Sequence, residues 1–280
     1  MEVRVAENAG FCFGVKRAMN MAWQELENNN NKDVYSLGPL IHNKQAVDRY
    51  KEKGLLEMDS LDKIPSSSKL IIRSHGVAED IYTQSKSKNM DIVDTTCPYV
   101  KKIHDIVKDL SQKGYKIIIV GNNTHPEIIG INGWCNNEAY VINSEEEVDN
   151  ISFNRYDKYC VVSQTTANLE HYDKIVAKIN SKTENLTVKN TICFATKERQ
   201  LSAIDLAKEV DCMVVIGGKH SSNTQKLVNI CKEIVPTFSI ETKDELEKDN
   251  FKEFKIAGVT AGASTPDWII DEVIEYLKEI

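Results

Sequence analysis

The stretch MDIVDTTCPYVKK, residues 90–102, places Cys97 where a short strand-like run ends and a helical pattern begins. The apolar run ends at Asp94, and Pro98 stands where the first turn of a helix tolerates a proline. By itself this stretch leaves three roles open for Cys97: a buried apolar side chain, a redox nucleophile or a metal ligand. The rest of the chain bears on the choice, because the same order of strand, cysteine and helix occurs twice more.

Cys12 follows the run VRVAENAGF, and Cys193 follows LTVKNTI; each then leads into a helical pattern. The three cysteines are 85 and 96 residues apart, so they divide the chain into three comparable parts. Self-similarity of this kind is typical of a duplicated architecture.

Two further features recur in each part, at the ends of apolar strands. One is a Gly-containing loop that carries a histidine: His42, His125 and His220. The other is a strand that ends in a histidine or in small hydroxyl residues: His75, Thr165 with Thr166, and Ser264 with Thr265.

Strands that alternate with helices predict parallel sheets with right-handed crossovers, and ligands bind outside the carboxyl ends of such strands. We therefore predict an α/β fold of three pseudo-equivalent small units with mainly parallel sheets around a central cavity. The predicted units are residues 14–97, residues 98–193, and residues 194–280 together with 1–13. The asparagine run at 28–31 is predicted to be a surface loop.

The composition excludes several classes of protein. A net charge of -7 makes nucleic acid an unexpected partner, and an anionic ligand would need local donors. No apolar run reaches the roughly 20 residues of a membrane span, and the acidic start is unlike a secretory signal, so we expect a cytoplasmic protein without a membrane partner. Seven cysteines without a CxxC pair argue against a disulfide framework or a zinc ribbon.

Four of the cysteines and two of the histidines lie in segments without other residues that suggest a reactive or ligand-binding site. Cys160, Cys212 and Cys231 lie in strand-like or helical apolar runs and are predicted to be buried, while Cys135 stays undecided in a loop-like stretch. His104 and His171 lie in helical patterns with polar neighbours, and both are predicted to be surface residues.

Cysteines at helix N-termini favour the thiolate, which is the form that binds metal. If three such thiolates meet, they suit an iron–sulfur cluster in which one iron has no protein ligand and is open to substrate. A zinc ion with three cysteines and a histidine, or three unrelated structural cysteines, are the alternatives left open.

The polar residues of the recurrent loops are uncharged or titratable hydrogen-bond donors near helix N-termini, which suit a phosphate or diphosphate. They are His42, His75, His125, Thr165, Ser221, Ser222, Asn223 and Ser264. Glu127, in THPE, is the carboxylate attached to one of these loops. It is either a proton carrier or an acid that favours the helix dipole, and the pattern alone does not separate the two.

The segments GFCFGVKRA, GPLIHN, RSHGV, DTTCPYV, THPE, SQTT, NTICFATKERQ, GGKHSSNT and TAGASTP together resemble the motif set of the LytB/IspH family of hydroxymethylbutenyl diphosphate reductases. The resemblance runs from residue 5 to about 270. It implies the last step of the non-mevalonate isoprenoid route, in which two electrons and protons remove an allylic hydroxyl and give isopentenyl and dimethylallyl diphosphates.

The resemblance also implies roles for individual residues. Cys12, Cys97 and Cys193 would hold a [4Fe-4S] cluster, and Glu127 would supply a proton, with Thr165 linking it to the substrate hydroxyl. The diphosphate would be bound by His42, His75, His125, Ser221, Ser222, Asn223 and Ser264. The electrons would come from reduced ferredoxin or flavodoxin.

Two other functions compete with this interpretation. A hydro-lyase would use the open iron without external electrons, and a sensor module would hold zinc or a cluster without catalysis. A radical-SAM enzyme is disfavoured because the chain has no CxxxCxxC triplet.

Overall fold

The structure is a computed structural model that describes residues 1–28 and 32–280; residues 29–31 of the predicted asparagine loop lie outside the described residues. The strands of the described part are β1 (Glu2–Val5), β2 (Val34–Leu37), β3 (Leu55–Met58), β4 (Lys69–Ile72), β5 (Asp91–Asp94), β6 (Tyr115–Val120), β7 (Tyr140–Ile142), β8 (Lys158–Ser163), β9 (Leu186–Val188), β10 (Cys212–Ile216), β11 (Thr237–Ile240) and β12 (Ile256–Ala261). Its α-helices are α1 (Phe13–Glu27), α2 (Lys44–Glu52), α3 (Glu79–Ser87), α4 (Pro98–Gln112), α5 (Pro126–Gly133), α6 (Leu169–Asn180), α7 (Phe194–Ala207), α8 (Ser222–Lys232) and α9 (Asp267–Lys278). None of these helices has the length and apolar character needed to cross a membrane.

The strands form three four-stranded sheets, and every pair of neighbouring strands in the described ranges is parallel. The strand orders are β1-β12-β10-β11, β3-β2-β4-β5 and β7-β6-β8-β9. The predicted fold class is confirmed: the chain is an α/β protein built of three similar units with parallel sheets. Because the strands of a sheet are parallel, their carboxyl ends lie along one edge.

By its internal contacts the chain separates into two compact units. Unit 1 comprises Met1–Lys16, Ile41–Glu52 and Phe194–Ile280, and it contains the sheet β1-β12-β10-β11. Unit 2 comprises Arg17–Leu40 and Lys53–Cys193, and it contains the other two sheets. The threefold boundaries at residues 14–97, 98–193, and 194–280 with 1–13 stay a prediction.

In unit 1, strand β10 is buried on both faces. Cys212, Val214 and Ile216 pack in the core that includes α9, whereas Met213 and Val215 pack in the core that includes α7 and α8. Side chains alternate between the faces of a strand, so a doubly covered strand has to be apolar throughout. This explains the uninterrupted run CMVVI.

In unit 2, strand β8 follows the same rule. Tyr159 and Val161 pack with α6, while Cys160 and Val162 face the core formed with α4 and α5. Cys135, which the sequence left undecided, belongs to this second core and is 2 % exposed. It lies two residues after the end of α5, and its Sγ donates to the Asn132 carbonyl at 3.3 Å.

The four cysteines outside the repeat are buried thiols. Burial raises the pKa of Cys135, Cys160 and Cys231 to about 11 and that of Cys212 to about 12. They therefore stay protonated near neutral pH and act as small apolar side chains. The prediction of burial is confirmed for Cys160, Cys212 and Cys231.

The three sheets repeat one backbone hydrogen bond. In each sheet a glycine directly follows an inner strand and donates its N–H to the last residue of the neighbouring strand. These bonds run from Gly38 to Met58, from Gly121 to Ile142 and from Gly217 to Ile240, at 2.7, 2.9 and 2.9 Å. The repeat seen in the sequence is therefore present in the backbone, at the edge where the strands end.

The prediction that His104 is a surface residue is wrong. Its side chain is 2 % exposed and stacks on Trp134, with ring centroids 5.1 Å apart and 15° between the planes. The polar neighbours of His104 in the sequence conceal that it shares the buried face of α4 with Val100 and Val107. His171, in the first turn of α6, is exposed as predicted.

The buried imidazole of His104 predicts a pH dependence of stability. Burial lowers its pKa from 6.5 to about 4, so between these values the unfolded chain binds a proton that the folded chain does not. Stability is therefore lost as the pH falls from 6.5 towards 4. From pH 7 to pH 4 the free energy of unfolding should fall by about 3 kcal/mol more in the wild type than in His104→Phe, as measured by urea unfolding.

His171→Asn is the matched control and should keep the pH dependence of the wild type. Parallel curves for the wild type and His104→Phe would show that His104 does not have this role.

Candidate active site

The backbone N–H of each repeat cysteine donates a hydrogen bond to a carbonyl that lies two residues beyond the end of a neighbouring strand. The bond in unit 1 runs from Cys12 to Ala263, at 3.2 Å. The bonds in unit 2 run from Cys97 to Ser74 at 3.0 Å and from Cys193 to Thr165 at 2.9 Å. Each cysteine is thus fixed in the same way at the carboxyl end of its own sheet.

The thiols of Cys12, Cys97 and Cys193 differ from the four buried ones. All three are only half-buried, none forms a disulfide, and each stands directly before the first residue of a helix. Cys97 is the N-cap of α4, with Pro98 in the first turn. A helix N-terminus stabilises a thiolate, and accessible thiolates are ligands for iron–sulfur clusters. The thiol chemistry of these three residues, each at a helix N-terminus, therefore fits a cluster.

Two arginines that the sequence did not single out hold the segments leading to the cysteines. In unit 2, Arg17 Nη1 donates to the Thr96 carbonyl at 3.3 Å and to the Thr95 carbonyl at 3.5 Å. In unit 1, the buried Arg199 donates from Nη2 to the Gly10 carbonyl at 2.7 Å. Thr95 and Gly10 each lie two residues before a cysteine. The sequence signal that could have pointed to these arginines is their spacing: Arg17 lies five positions after Cys12, and Arg199 lies six positions after Cys193.

Glu127 and Thr165 form a buried pair in unit 2. Glu127 is 3 % exposed and lies in the first turn of α5. Its Oε1 accepts a hydrogen bond from the Thr165 backbone N–H at 2.6 Å, and its Oε2 accepts one from the Thr165 hydroxyl at 2.7 Å. The carboxylate therefore contacts the loop after β8 and also lies in the first turn of its own helix, where it favours the helix dipole.

His75 and His125 lie together in the same unit. Their rings are in edge-to-face contact, with centroids 5.6 Å apart and an interplanar angle of 76°. His125 is the N-cap of α5, and its Nδ1 accepts a hydrogen bond from the Glu127 N–H at 3.2 Å. Since Nδ1 is an acceptor, the neutral ring carries its proton on Nε2.

In unit 1, His42 is held between two loops. The Ser264 hydroxyl donates to the His42 carbonyl at 3.2 Å. A Cβ at position 218 would lie 2.5 Å from the same carbonyl oxygen, so Gly218 allows its loop to approach the backbone of His42 closely. His42 and Ser264 are thus brought together, as the sequence led us to expect of residues that bind one ligand.

The first turn of α8 carries the hydroxyl and amide residues predicted from the sequence. Ser221 is the N-cap, and its Oγ accepts a hydrogen bond from the Thr224 N–H at 3.4 Å; Ser222 begins the helix. Asn223 is 4 % exposed, and neither its side-chain oxygen nor its nitrogen has a hydrogen-bond partner among the described residues. His220, just before this turn, is exposed.

Comparison with known proteins identifies a family. The family profile described as "LytB protein" matches residues 3–278. The chain is 58% identical to a protein of Clostridioides difficile (strain 630) and 49% identical to one of Alkaliphilus oremlandii (strain OhILAs). Both alignments cover 100% of each chain, and both relatives are named 4-hydroxy-3-methylbut-2-enyl diphosphate reductase.

Two solved structures are also similar to the chain. One is described as (E)-4-hydroxy-3-methyl-but-2-enyl diphosphate reductase, the terminal enzyme of the non-mevalonate pathway; it is 41% identical, has a TM-score of 0.75 and is covered in full, as is this chain. The other is described as the E-1-hydroxy-2-methyl-but-2-enyl-4-diphosphate reductase from Plasmodium falciparum. It is 27% identical with a TM-score of 0.93, and the match covers 99% of this chain and 87% of that one.

The unsatisfied amide of Asn223 predicts a stabilising substitution. Burying polar atoms without partners costs free energy, so Asn223→Leu should raise the free energy of unfolding of the ligand-free chain by about 1 kcal/mol or more. Urea unfolding measures the change. A more stable variant would indicate that Asn223 serves a ligand and not the fold.

Asn168→Leu is the matched control, because Asn168 caps α6 through an oxygen that accepts the His171 N–H at 2.9 Å. Its replacement should lower stability by about 1 kcal/mol. Loss of stability in both variants would contradict the role given to Asn223.

Proposed function

This chain belongs to the LytB protein family, and we propose that it is a 4-hydroxy-3-methylbut-2-enyl diphosphate reductase, the enzyme of the last step of the non-mevalonate isoprenoid route. The reaction replaces the allylic hydroxyl by hydrogen, consumes two electrons and two protons, and releases water with isopentenyl or dimethylallyl diphosphate. The full-length match to reductases supports the assignment. The observation that carries the chemistry is the buried pair of Glu127 and Thr165.

We assign Cys12, Cys97 and Cys193 as the ligands of a [4Fe-4S] cluster. The support is that each has a half-buried thiol before a helix and the same backbone hydrogen bond, while the other four thiols are buried and protonated. When bound, such a cluster supplies electrons one at a time and leaves one iron open to the substrate hydroxyl.

In this proposal the diphosphate is bound by histidines, hydroxyls and an amide, and not by lysines or arginines. This agrees with the negative net charge of the chain. We assign this role to His42, His75, His125, Thr165, Ser221, Ser222, Asn223 and Ser264. The imidazole of His125 is a hydrogen-bond donor suited to phosphate oxygens. The same holds for the buried amide of Asn223, which has no hydrogen-bond partner among the described residues. A helix N-terminus adds backbone N–H groups and a favourable dipole at Ser221 and His125.

Glu127, Thr165 and His125 carry the proton chemistry in this proposal. The Thr165 hydroxyl donates to the ionised Glu127. When Glu127 is protonated, the carboxyl O–H donates to the Thr165 oxygen instead, and the Thr165 proton passes to the leaving oxygen; the carboxyl group can also donate to that oxygen directly. His125 fixes the start of the helix by accepting the Glu127 N–H. Burial keeps bulk water away from the carboxyl group and so limits competing proton transfer.

The reductase needs a source of low-potential electrons, and we propose reduced ferredoxin or flavodoxin as the donor. We place the reaction in the cytoplasm, because a reducing compartment keeps the thiols of the seven cysteines from being oxidised. Anaerobic turnover of the allylic diphosphate with a low-potential donor tests the function. Turnover without any reductant would identify a hydro-lyase, and a colourless zinc protein would overturn the cluster.

Glu127→Gln tests the proton donor. The Gln side chain can keep both contacts with Thr165 but carries no acidic proton, so kcat should fall by about a hundredfold or more while iron content and substrate affinity are retained. Anaerobic single-turnover kinetics and iron analysis measure these quantities. Glu138→Gln, at an exposed carboxylate after α5, should behave as the wild type; full activity in Glu127→Gln would remove Glu127 from the mechanism.

Serine substitutions test the ligand assignment. Protein purified anaerobically should contain about four irons per chain, and Cys193→Ser should lose iron because a hydroxyl is a poor ligand for iron in a cluster. Cys135→Ser is the matched control. The buried Cys135 thiol donates to the Asn132 carbonyl, so this substitution should leave the iron content unchanged. Equal loss of iron in both variants would contradict the threefold assignment.

A further inference from the structure

Helix α5 carries two sets of residues with different neighbours. His125 and Glu127 lie at its N-terminal end, and Gly130, Gly133 and Trp134 lie at its other end, against the loop of residues 76–78. This loop directly follows His75. We propose that Trp134, together with His104, is a positioning pair that holds His75 against His125 and thereby sets the affinity for the diphosphate. The inference rests on the proposed function for its ligand.

Gly133 brings the backbone of α5 onto the loop, and the loop backbone also passes close to Gly130. A Cβ at Gly133 would lie 2.1 Å from the Ala78 Cβ, so no other residue fits there without moving the loop. A Cβ at Gly130 would lie 3.5 Å from backbone atoms of Gly76 and Val77. The distance between the loop and the helix that begins at His125 is therefore fixed by backbone packing.

Trp134 fastens the loop with a hydrogen bond. Its indole N–H donates to the Val77 carbonyl at 2.9 Å. The ring is in turn held by its stack on His104, by an edge contact with Tyr82 at 5.9 Å, and by the ammonium of Lys108, 5.3 Å from the ring centroid. A donor fixed in this way can hold a carbonyl in one orientation.

His104 acts on the residue next to His75. Gly76 has a φ of +73°, and a Cβ at this position would lie 2.6 Å from His104 Cε1. The imidazole thus packs directly on the Gly76 backbone, which only a glycine allows here. With Gly76 held by His104 and Val77 held by Trp134, the turn that carries His75 has little freedom.

The result of this packing is the edge-to-face contact of His75 and His125, whose centroids are 5.6 Å apart. His125 is fixed at the start of α5, and His75 is fixed by the loop that the same helix holds. A diphosphate that both rings bind needs this spacing before it arrives, because ordering the loop on binding would cost affinity.

Trp134→Phe removes the N–H donor and keeps an aromatic ring over His104. Substrate Kd, measured by isothermal titration with the cluster-loaded protein, and KM should both rise about fivefold, while kcat changes by less than about twofold. Trp23→Phe is the matched control: it also removes an indole N–H, which donates to Glu27 at 2.8 Å on α1, and it should leave both constants unchanged.

A double-mutant cycle separates positioning from a general structural effect. In a His75→Ala background, Trp134→Phe should no longer change Kd, because the residue through which it acts is gone. An undiminished effect in that background would overturn the proposal, as would Kd and KM values for Trp134→Phe that match those of Trp23→Phe.

A chemical readout makes the test independent of the substrate. Carbethoxylation of His75 by diethylpyrocarbonate, followed by peptide mass spectrometry, should be faster in Trp134→Phe than in the wild type or in Trp23→Phe. If the wild type neither binds nor reduces the allylic diphosphate but this difference persists, the holding of His75 stands and the proposed function fails. If Trp134→Phe does not fold, as judged by circular dichroism and iron content, His104→Gln is tested in its place, with the same expected direction in Kd and the same outcome for rejection.

Discussion

The structure depends on one constraint: every strand in the described ranges pairs in parallel, so each sheet presents all its carboxyl ends along a single edge. Backbone groups that the strands leave unpaired at this edge must find partners in the loops. In each sheet a glycine N–H donates to the last carbonyl of a neighbouring strand, and a cysteine N–H donates to a loop carbonyl two residues beyond a strand. The backbone at this edge is therefore fixed by hydrogen bonds. Side chains that follow these glycines and cysteines can be held there by short loops.

The same edge explains why Glu127 can lie buried beside Thr165. β6 and β8 are neighbours, so the loops that follow them are adjacent and α5 begins next to the end of β8. Two short, charge-assisted hydrogen bonds then compensate the burial of the carboxylate. A group held in this way keeps its position through a reaction, which a carboxylate in open water would not.

The candidate diphosphate residues can recognise an anion although none of them is a lysine or an arginine. The net charge is -7, and the candidate diphosphate residues are histidines, hydroxyls and an amide. Helix N-termini contribute partial charge without a lysine or an arginine, and a neutral donor with a fixed orientation discriminates by geometry. Asn223 has a buried amide with no hydrogen-bond partner among the described residues, a local cost that agrees with its proposed role in binding a ligand. Arg17 and Arg199 donate to backbone carbonyls near the cysteines, so these two arginines support the loops.

The sequence by itself determined the repeat of strand, cysteine and helix, the parallel α/β class and the burial of Cys160, Cys212 and Cys231. All of these follow from periodicity and from residues adjacent in the chain, which are local signals. Only the tertiary structure decided the burial of His104, the core position of Cys135 and the hold of Trp134 on Val77. The stack of His104 on Trp134 joins residues 30 positions apart, and the hydrogen bond from Trp134 to Val77 joins residues 57 positions apart. The burial of Cys135 depends on a core formed by several elements. A polar residue on a helix can be buried when a residue from another element packs against it. For His104 this residue is Trp134, at the C-terminal end of α5, whose indole ring stacks on the imidazole.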